Sequence, residues 1–187
     1  MRPVKSLQPS PTVQVWDPLV RVFHWTLALS FAAAWATAEH MERLHELIGY
    51  FAGALVAVRV LWGFLGPRYA RFSQFVRPPS AVLAYLKAAA AGSERRFLGH
   101  NPAGGAMIVI LLAAIAATAV TGWLMTTDAF WGSTAMQAAH AVAAYGVLLL
   151  VCVHLGGVAL ASLRHRENLP LAMVSGGKRA PRHGDVV

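Results

Sequence analysis

Four long apolar stretches divide the chain, and they constrain its fold more than any other feature. They cover residues 19–38, 47–65, 106–126 and 136–163, and each can cross a hydrocarbon layer about 30 Å thick. The chain is 57% hydrophobic and only 13% charged, a larger apolar share than soluble domains have. Lipid admits only helices or closed barrels, and these stretches lack two-residue alternation. The sequence therefore predicts an all-α integral membrane protein, a bundle of four spanning helices.

The charged residues predict the orientation of this bundle. Basic residues concentrate before the first stretch, in or near the long connection of residues 66–101, and after residue 163. The two short connections and their flanks hold one basic residue, Arg43, and four acidic residues: Glu39, Glu42, Glu46 and Asp128. By the positive-inside rule, both termini and the long connection should be cytoplasmic. This distribution accounts for the net charge of +8 without a nucleic-acid partner.

The expected organisation is a short tail, one membrane domain and a second tail. The limits are a cytoplasmic tail at residues 1–12, a four-helix membrane domain at 13–169 and a basic cytoplasmic tail at 170–187. Residues 36–38 resemble a signal-peptide cleavage site, but the preceding apolar run is long for a signal core. We therefore expect the first helix to be retained.

Two helix starts can be predicted around the long connection. A pair of prolines followed by Ser80 predicts a short amphipathic helix, capped by Ser80, that lies on the membrane surface with Val82, Leu83 and Leu86 toward lipid. Asn101 and Pro102 have the residue types of an N-cap and a first helical position. They predict the start of the third span.

Four histidines lie near the ends of the apolar stretches: His24, His45, His140 and His154. An ionisable residue inside a membrane is costly and usually functional. In the predicted orientation, His24 and His154 lie near the cytoplasmic side, and His45 and His140 near the outer side. His140 and His154 are fourteen residues apart in one helix, which places them on one face about 21 Å apart along the axis.

Two histidine pairs at two depths in the membrane suit two planar cofactors, each bound by one imidazole on each of its two faces. This is the bis-histidine ligation of haem iron, and a helical bundle can supply it from facing helices. The chain has no C-x-x-C-H motif for covalent attachment, so the haems would be non-covalent. Its single cysteine, Cys152, is expected to be a buried packing residue. Zinc is a weaker alternative because it gathers its ligands at one point, and helix-to-helix hydrogen bonding is another.

Four further residues are candidate contacts of the cofactors. Gly49 and Gly53 follow His45 by one and two helical turns, so they could let a porphyrin approach the backbone, although close helix packing explains them equally well. Arg21 precedes His24 by about one turn, and Arg59 lies in the cytoplasmic half of the second span. Either cation could neutralise a haem propionate.

Several segments together resemble the bacterial cytochrome b561 family, which includes b-type subunits of nickel–iron hydrogenases. They are Val15-Trp16-Asp17-Pro18, Arg21, His24-Trp25, His45-Glu46, Gly49, Arg59 to Phe64, Gly99-His100-Asn101-Pro102, Gly122-Trp123, His140 and His154. The resemblance covers residues 13–169. It implies a bacterial inner-membrane protein with two haems b on the same four histidines. It also implies electron transfer between the quinone pool and a partner such as a periplasmic c-type cytochrome.

The sequence leaves other functions open. Some compact members of the family resemble superoxide:quinone oxidoreductases, but the predicted outer connections offer only Arg43 to attract an anion. The chain could instead be a b-type subunit of a hydrogenase-like complex, or a membrane anchor without haem. Self-association into a homodimer is a further expectation. The acidic outer connections could steer a basic cytochrome, or simply complement the basic cytoplasmic side.

Overall fold

The computed structural model describes residues 11–187 as a helical bundle with one small strand pair. In chain order the elements are β1 Thr12–Gln14, α1 Pro18–Thr37, α2 Glu42–Leu65, a single 3-10 turn Arg68–Ala70, α3 Phe72–Phe75, α4 Pro79–Ala90, α5 Pro102–Met125, α6 Thr134–His165, α7 Leu169–Ser175 and β2 Gly177–Arg179. Helices α1, α2, α5 and α6 are long and apolar enough to cross a membrane. The prediction of an all-α bundle with four spanning helices is confirmed.

Side-chain caps fix the starts of three of the spanning helices. The Asp17 carboxylate accepts a hydrogen bond from the Val20 amide at 3.1 Å, and Asn101 accepts one from Gly104 at 2.7 Å. Ser133 does the same for Met136 at 3.3 Å. These bonds satisfy amides that a helix start leaves without partners. The predicted start of the third span at Asn101 is therefore confirmed.

The short helix in the long connection is present as α4, but its predicted cap is wrong. Pro78 occupies the cap position and Pro79 begins the helix, so Ser80 lies inside the first turn. Proline suits this position because its fixed φ angle matches a helix and its missing amide is not needed there. Leu83 and Leu86 are exposed, as a helix in contact with lipid requires.

The four spanning helices pack as an open series. Helix α1 packs along α2, α2 along α5, and α5 along α6, whereas the backbone of α6 stays apart from α1 and α2. Most residues of the four spans lack burial within the protein. Cys152 is one of these: it is exposed on α6, so the expectation of a buried packing residue is wrong. The separation of α6 from α1 and α2 leaves room between facing helices.

The two ends of the bundle differ in charge and in structure. We call the end with connections 38–41 and 126–133 the acidic end, and the end with the long connection and the C-terminal segment the basic end. At the basic end, β1 pairs antiparallel with β2, with Thr12 opposite Arg179. A small core there contains Val15, Trp16, Leu98 and Ala172.

The segment 170–187, which the sequence alone suggests is a tail, folds onto the bundle at the basic end. It supplies α7, β2 and a backbone bond from the Leu98 amide to the Val186 carbonyl. A buried ion-pair network holds it: Arg96 donates two bonds to Glu167, at 2.7 and 3.1 Å, and Lys178 lies 3.6 Å from Glu167. These partners are distant in sequence, so no local pattern reveals them. The predicted tail at 1–12 lies outside the described residues except for Pro11 and Thr12.

Candidate functional site

The basic end holds one pair of facing histidines. His24 lies in the second turn of α1, and His154 lies about two thirds of the way along α6. Their ring centres are 6.5 Å apart, with 55° between the ring planes. Trp25 packs edge-on against His24, with a ring-centre distance of 5.1 Å, and its indole nitrogen donates to the Met173 carbonyl at 3.3 Å. The folded C-terminal segment therefore indirectly supports His24.

The acidic end holds a second pair of the same kind. His45 lies in the first turns of α2, and His140 lies in the second turn of α6. Their ring centres are 6.2 Å apart, and the ring planes are nearly perpendicular, at 86°. The two pairs thus bridge α6 to α1 and to α2, the two helices whose backbones do not pack against α6. The structure brings together the same two pairs that the sequence predicts.

The separation within each pair fits a metal between two imidazoles. Metal–nitrogen bonds of about 2 Å on either side, with each ring centre about 1 Å further out, place the centres about 6 Å apart. The observed 6.5 and 6.2 Å agree with this estimate. Direct hydrogen bonding between the rings would need a nitrogen-to-nitrogen distance of about 3 Å. Among residues 11–187 no hydrogen bond joins the two rings of either pair; Nδ1 of His45 and of His140 instead contacts acceptors on α1 and α5, respectively.

Backbone carbonyls fix the tautomer of both histidines at the acidic end. Nδ1 of His45 lies 2.9 Å from the Ala34 carbonyl, and Nδ1 of His140 lies 3.1 Å from the Thr118 carbonyl. A carbonyl only accepts, so each Nδ1 carries the proton and donates it. The lone pair then remains on Nε2, the nitrogen available for a metal. Metal-binding histidines commonly have this support from a neighbouring acceptor.

A cavity of about 900 Å³ lies beside the acidic-end pair. It is lined by residues of all four spanning helices, including His45, Gly49, Gly122, His140 and Tyr145. Cofactor and ligand pockets usually measure about 300–1,000 Å³. The cavity is therefore large enough for a planar macrocycle between the two imidazoles.

The two candidate glycines have different surroundings. A Cβ atom at Gly49 would meet nothing within 4 Å, and Gly49 lines the cavity. A Cβ atom at Gly53 would lie 3.3 Å from Cβ of Ala119 on α5. Gly53 therefore permits close packing of α2 on α5, the alternative explanation given above. Only Gly49 borders the space beside the histidines.

The two candidate arginines both lie at the basic end. Arg59 is 3% exposed; its Nη2 donates to the Ala70 carbonyl at 3.1 Å, and its buried Nη1 has no partner among the described residues. Arg21 donates to the Val174 carbonyl at 2.7 Å, and its buried Nε is likewise without a partner in residues 11–187. Buried charged groups require compensation. Both side chains therefore have donors available for an anion.

Sequence reasoning missed the residues that hold His140 in place. The Thr121 hydroxyl lies 3.1 Å from Nδ1 of His140, beside the Thr118 carbonyl. A Cβ atom at Gly122 would lie only 3.1 Å from Cε1 of the same ring. The glycine leaves room for the imidazole against α5. The Gly122-Trp123 segment is part of the family resemblance, and it is the signal that could have identified this role.

Within residues 11–187, no group of three or more His, Cys, Asp and Glu side chains converges as a metal cluster. The histidines instead form two separate pairs, and each pair has one member on the continuous helix α6.

Comparison with known proteins identifies the family. The model of prokaryotic cytochrome b561 matches residues 15–176. The chain belongs to this family.

The cytochrome b561 family places this protein among membrane b-type cytochromes of electron transfer. A curated relative is the probable Ni/Fe-hydrogenase B-type cytochrome subunit of Rhodobacter capsulatus, with 21% identity over 221 aligned positions. The alignment covers 92% of this chain and 84% of the relative. No solved structure matches the chain. The family resemblance expected from the sequence is confirmed, and the protein is a bacterial membrane protein.

Proposed function

We propose that the protein is a di-haem cytochrome b that transfers electrons between the quinone pool and a periplasmic redox partner. The observation that supports this most directly is the presence of two facing histidine pairs, with ring-centre distances of 6.5 and 6.2 Å. The basic-end haem would bind His24 and His154, and the acidic-end haem would bind His45 and His140. When bound, haem supplies a reversible one-electron couple, and the protein tunes its potential.

Helix α6 sets the distance between the two haem sites. It is continuous from Thr134 to His165, and it contributes one histidine to each site. Fourteen residues of regular helix span about 21 Å, and the macrocycles themselves reduce the gap that electrons must cross. The two sites therefore form a route along the bundle axis.

We propose that the basic end is cytoplasmic and the acidic end faces the periplasm, as the positive-inside rule indicates. A basic c-type cytochrome then suits the acidic connections as a partner, with quinone as the membrane-soluble reactant. The chain offers Arg43 as the basic residue near that end, which disfavours superoxide as the substrate. Self-association as a homodimer is compatible with this role.

A second candidate is the b-type subunit of a hydrogenase-like complex. The similarity to the Rhodobacter capsulatus protein favours it, since that relative is described as a probable hydrogenase subunit. In this function the two haems would have the same ligands, and the partner at the periplasmic end would be a metalloenzyme. Co-purification of the full-length protein from its native membrane distinguishes the two candidate functions. A c-type cytochrome as the partner would support the quinone-linked cytochrome, and a hydrogenase would support the subunit of a hydrogenase-like complex.

Haem loading of the purified protein tests the proposed function. We expect two low-spin haems b per chain, measured by the pyridine haemochrome spectrum and by electron paramagnetic resonance. His140→Ala should remove the acidic-end haem and leave much of the basic-end haem, because the pairs share no ligand. The matched control is His183→Ala, an exposed histidine outside the spanning helices. A wild-type protein without haem would identify a membrane anchor instead.

A further inference from the structure

His100 is a further histidine beside the bundle and belongs to neither of the two pairs. It precedes the capping residue Asn101 of α5, outside the spanning helix. Its Nδ1 is buried and has no hydrogen-bond partner among residues 11–187. A buried polar atom without a partner costs about 1–3 kcal/mol, so such atoms usually meet a ligand or water. None of the roles assigned above uses this nitrogen.

Aromatic packing holds the His100 ring in place. The ring centre lies 4.5 Å from that of Trp16 and 4.8 Å from that of Phe75. Phe75 is fully buried and Trp16 is 8% exposed. A Cβ atom at Gly105 would overlap the Phe75 carbonyl, so α3 and α5 are in close contact here. The imidazole is therefore fixed between two buried rings.

The surroundings of His100 are positively charged and close to the basic-end histidines. Burial, followed by the charges of Arg59, Lys178 and His154, lowers the pKa of His100 to about 3. The ring is therefore neutral at pH 7, with one nitrogen that donates and one that accepts. Its neighbour Arg59, which has a buried donor without a partner among residues 11–187, favours an anion in this region, and a neutral imidazole can donate to such an anion.

Arg59 provides a second donor at the same place. Its guanidinium lies 5.5 Å from the ring centre of Phe72, and the Phe72 and Phe75 rings are 5.7 Å apart. His100 and Arg59 thus border one aromatic cluster, and each has a buried nitrogen without a partner. Two neighbouring donors match the two carboxylates that each haem b carries on one edge.

We propose that His100 donates a hydrogen bond to a propionate of the basic-end haem, beside Arg59. This proposal rests on the proposed haem ligation by His24 and His154. His100 is then a positioning residue, because it acts on the propionate edge and leaves the iron ligands to other histidines. The aromatic rings of Trp16 and Phe75 hold its imidazole in place.

Two substitutions at this position separate hydrogen bonding from packing. His100→Phe retains a flat ring between Trp16 and Phe75 but has no nitrogen, whereas His100→Gln retains a donor. His183→Phe is the control, since His183 is exposed. The measurements on purified protein are haem content, the resonance Raman bending band of the propionates, and redox titration of both haems. The His140→Ala variant identifies the basic-end haem.

In His100→Phe we expect a shifted propionate band and a lower midpoint potential for the basic-end haem only. Removing a donor leaves the propionate charge less compensated, which favours the oxidised iron. His100→Gln should restore much of the wild-type propionate band and midpoint potential.

The proposal is overturned if fully loaded His100→Phe protein keeps the wild-type band and potential, even if its quinol oxidation is altered. Equal loss of the basic-end haem in both variants would also overturn it, in favour of packing alone. Absence of haem from wild-type protein would instead refute the proposed function.

Discussion

Single residues at the bundle interior control how each imidazole is presented. His140 is held by the Thr118 carbonyl and the Thr121 hydroxyl, and Gly122 leaves room for its ring. Within residues 11–187, His45 is held by the Ala34 carbonyl alone. Because a metal–ligand bond tolerates little misplacement, these small contacts decide whether an imidazole can bind iron.

Substitution of Gly122 tests whether these contacts position the imidazole of His140. Gly122→Val would place a branched side chain against Cε1 of His140, where a Cβ atom alone lies at 3.1 Å. Overpacking of this kind costs about 1–3 kcal/mol. We therefore expect affinity for the acidic-end haem to fall by about tenfold or more, as measured by haem content during dilution. Ala113→Val, at an exposed position of the same helix, is the control and should retain both haems. Full retention in Gly122→Val would show that the ring adjusts without cost.

The charge of Arg59 gives a second prediction at this scale. If Arg59 compensates a propionate of the basic-end haem, Arg59→Leu should lower the midpoint potential of that haem, since loss of a cation favours oxidised iron. We expect a shift on the order of 60 mV, a tenfold change in a one-electron equilibrium. Arg59→Lys should largely preserve the potential, but less well if the contact is bidentate. A redox titration of the loaded variants measures this. An unchanged potential in Arg59→Leu would contradict the propionate contact.

At the scale of elements, α6 and the segment after it have separate roles. Helix α6 carries a histidine for each site, and its length keeps the sites apart. The residues that follow it turn back through Arg166, whose φ of +50° lies in the left-handed region, and deliver Glu167 to Arg96. The side chains of Arg96 and Glu167 are 4% and 7% exposed. This buried pair attaches the C-terminal segment to the connection before α5.

Removal of the Glu167 charge should detach that segment. Breaking a buried ion pair costs about 3 kcal/mol or more because the remaining charge is left without compensation. We expect Glu167→Gln to lower stability by about this amount at pH 7, as measured by thermal unfolding in detergent and by proteolysis of residues 167–187. Glu39→Gln is the control, since the Glu39 side chain is 86% exposed. Equal stability of the two variants would contradict a structural role for the pair.

The same pair predicts a dependence on pH. Burial alone would raise the pKa of Glu167, but hydrogen bonds from Arg96 and the charge of Lys178 hold it below its ordinary value. The unfolded chain therefore binds more protons on acidification. The stabilisation is complete above the unfolded pKa, about 4.3, and disappears as pH falls through the lower folded pKa. The difference between wild type and Glu167→Gln should shrink over this range. A difference that does not change with pH would contradict this assignment.

At the scale of the whole molecule, charge and topology together determine which end meets which partner. Both described termini lie at the basic end, where β1 pairs with β2. The acidic end has two short connections and the cavity of about 900 Å³. A chain inserted with the basic end in the cytoplasm therefore presents the cavity side to the periplasm.

Reporter fusions test this orientation. Green fluorescent protein fused after Val187 should fluoresce, and alkaline phosphatase at the same position should be inactive, because we expect this end to be cytoplasmic. Fusions after Asp128, in the connection between α5 and α6, should give the reverse. Active phosphatase after Val187 would contradict the proposed orientation of the protein in the membrane.

The sequence alone determined the four spans and the pairing of their histidines. Both depend on regular periodicities: the length of apolar runs against bilayer thickness, and the rise of a helix between His140 and His154. Only the tertiary structure distinguished Gly49, which borders the cavity, from Gly53, which packs on α5. It also revealed the partners of His140 and Glu167 and the enclosure of His100. These contacts join residues far apart in the chain, so their geometry depends on how the helices pack and leaves no local pattern in the sequence.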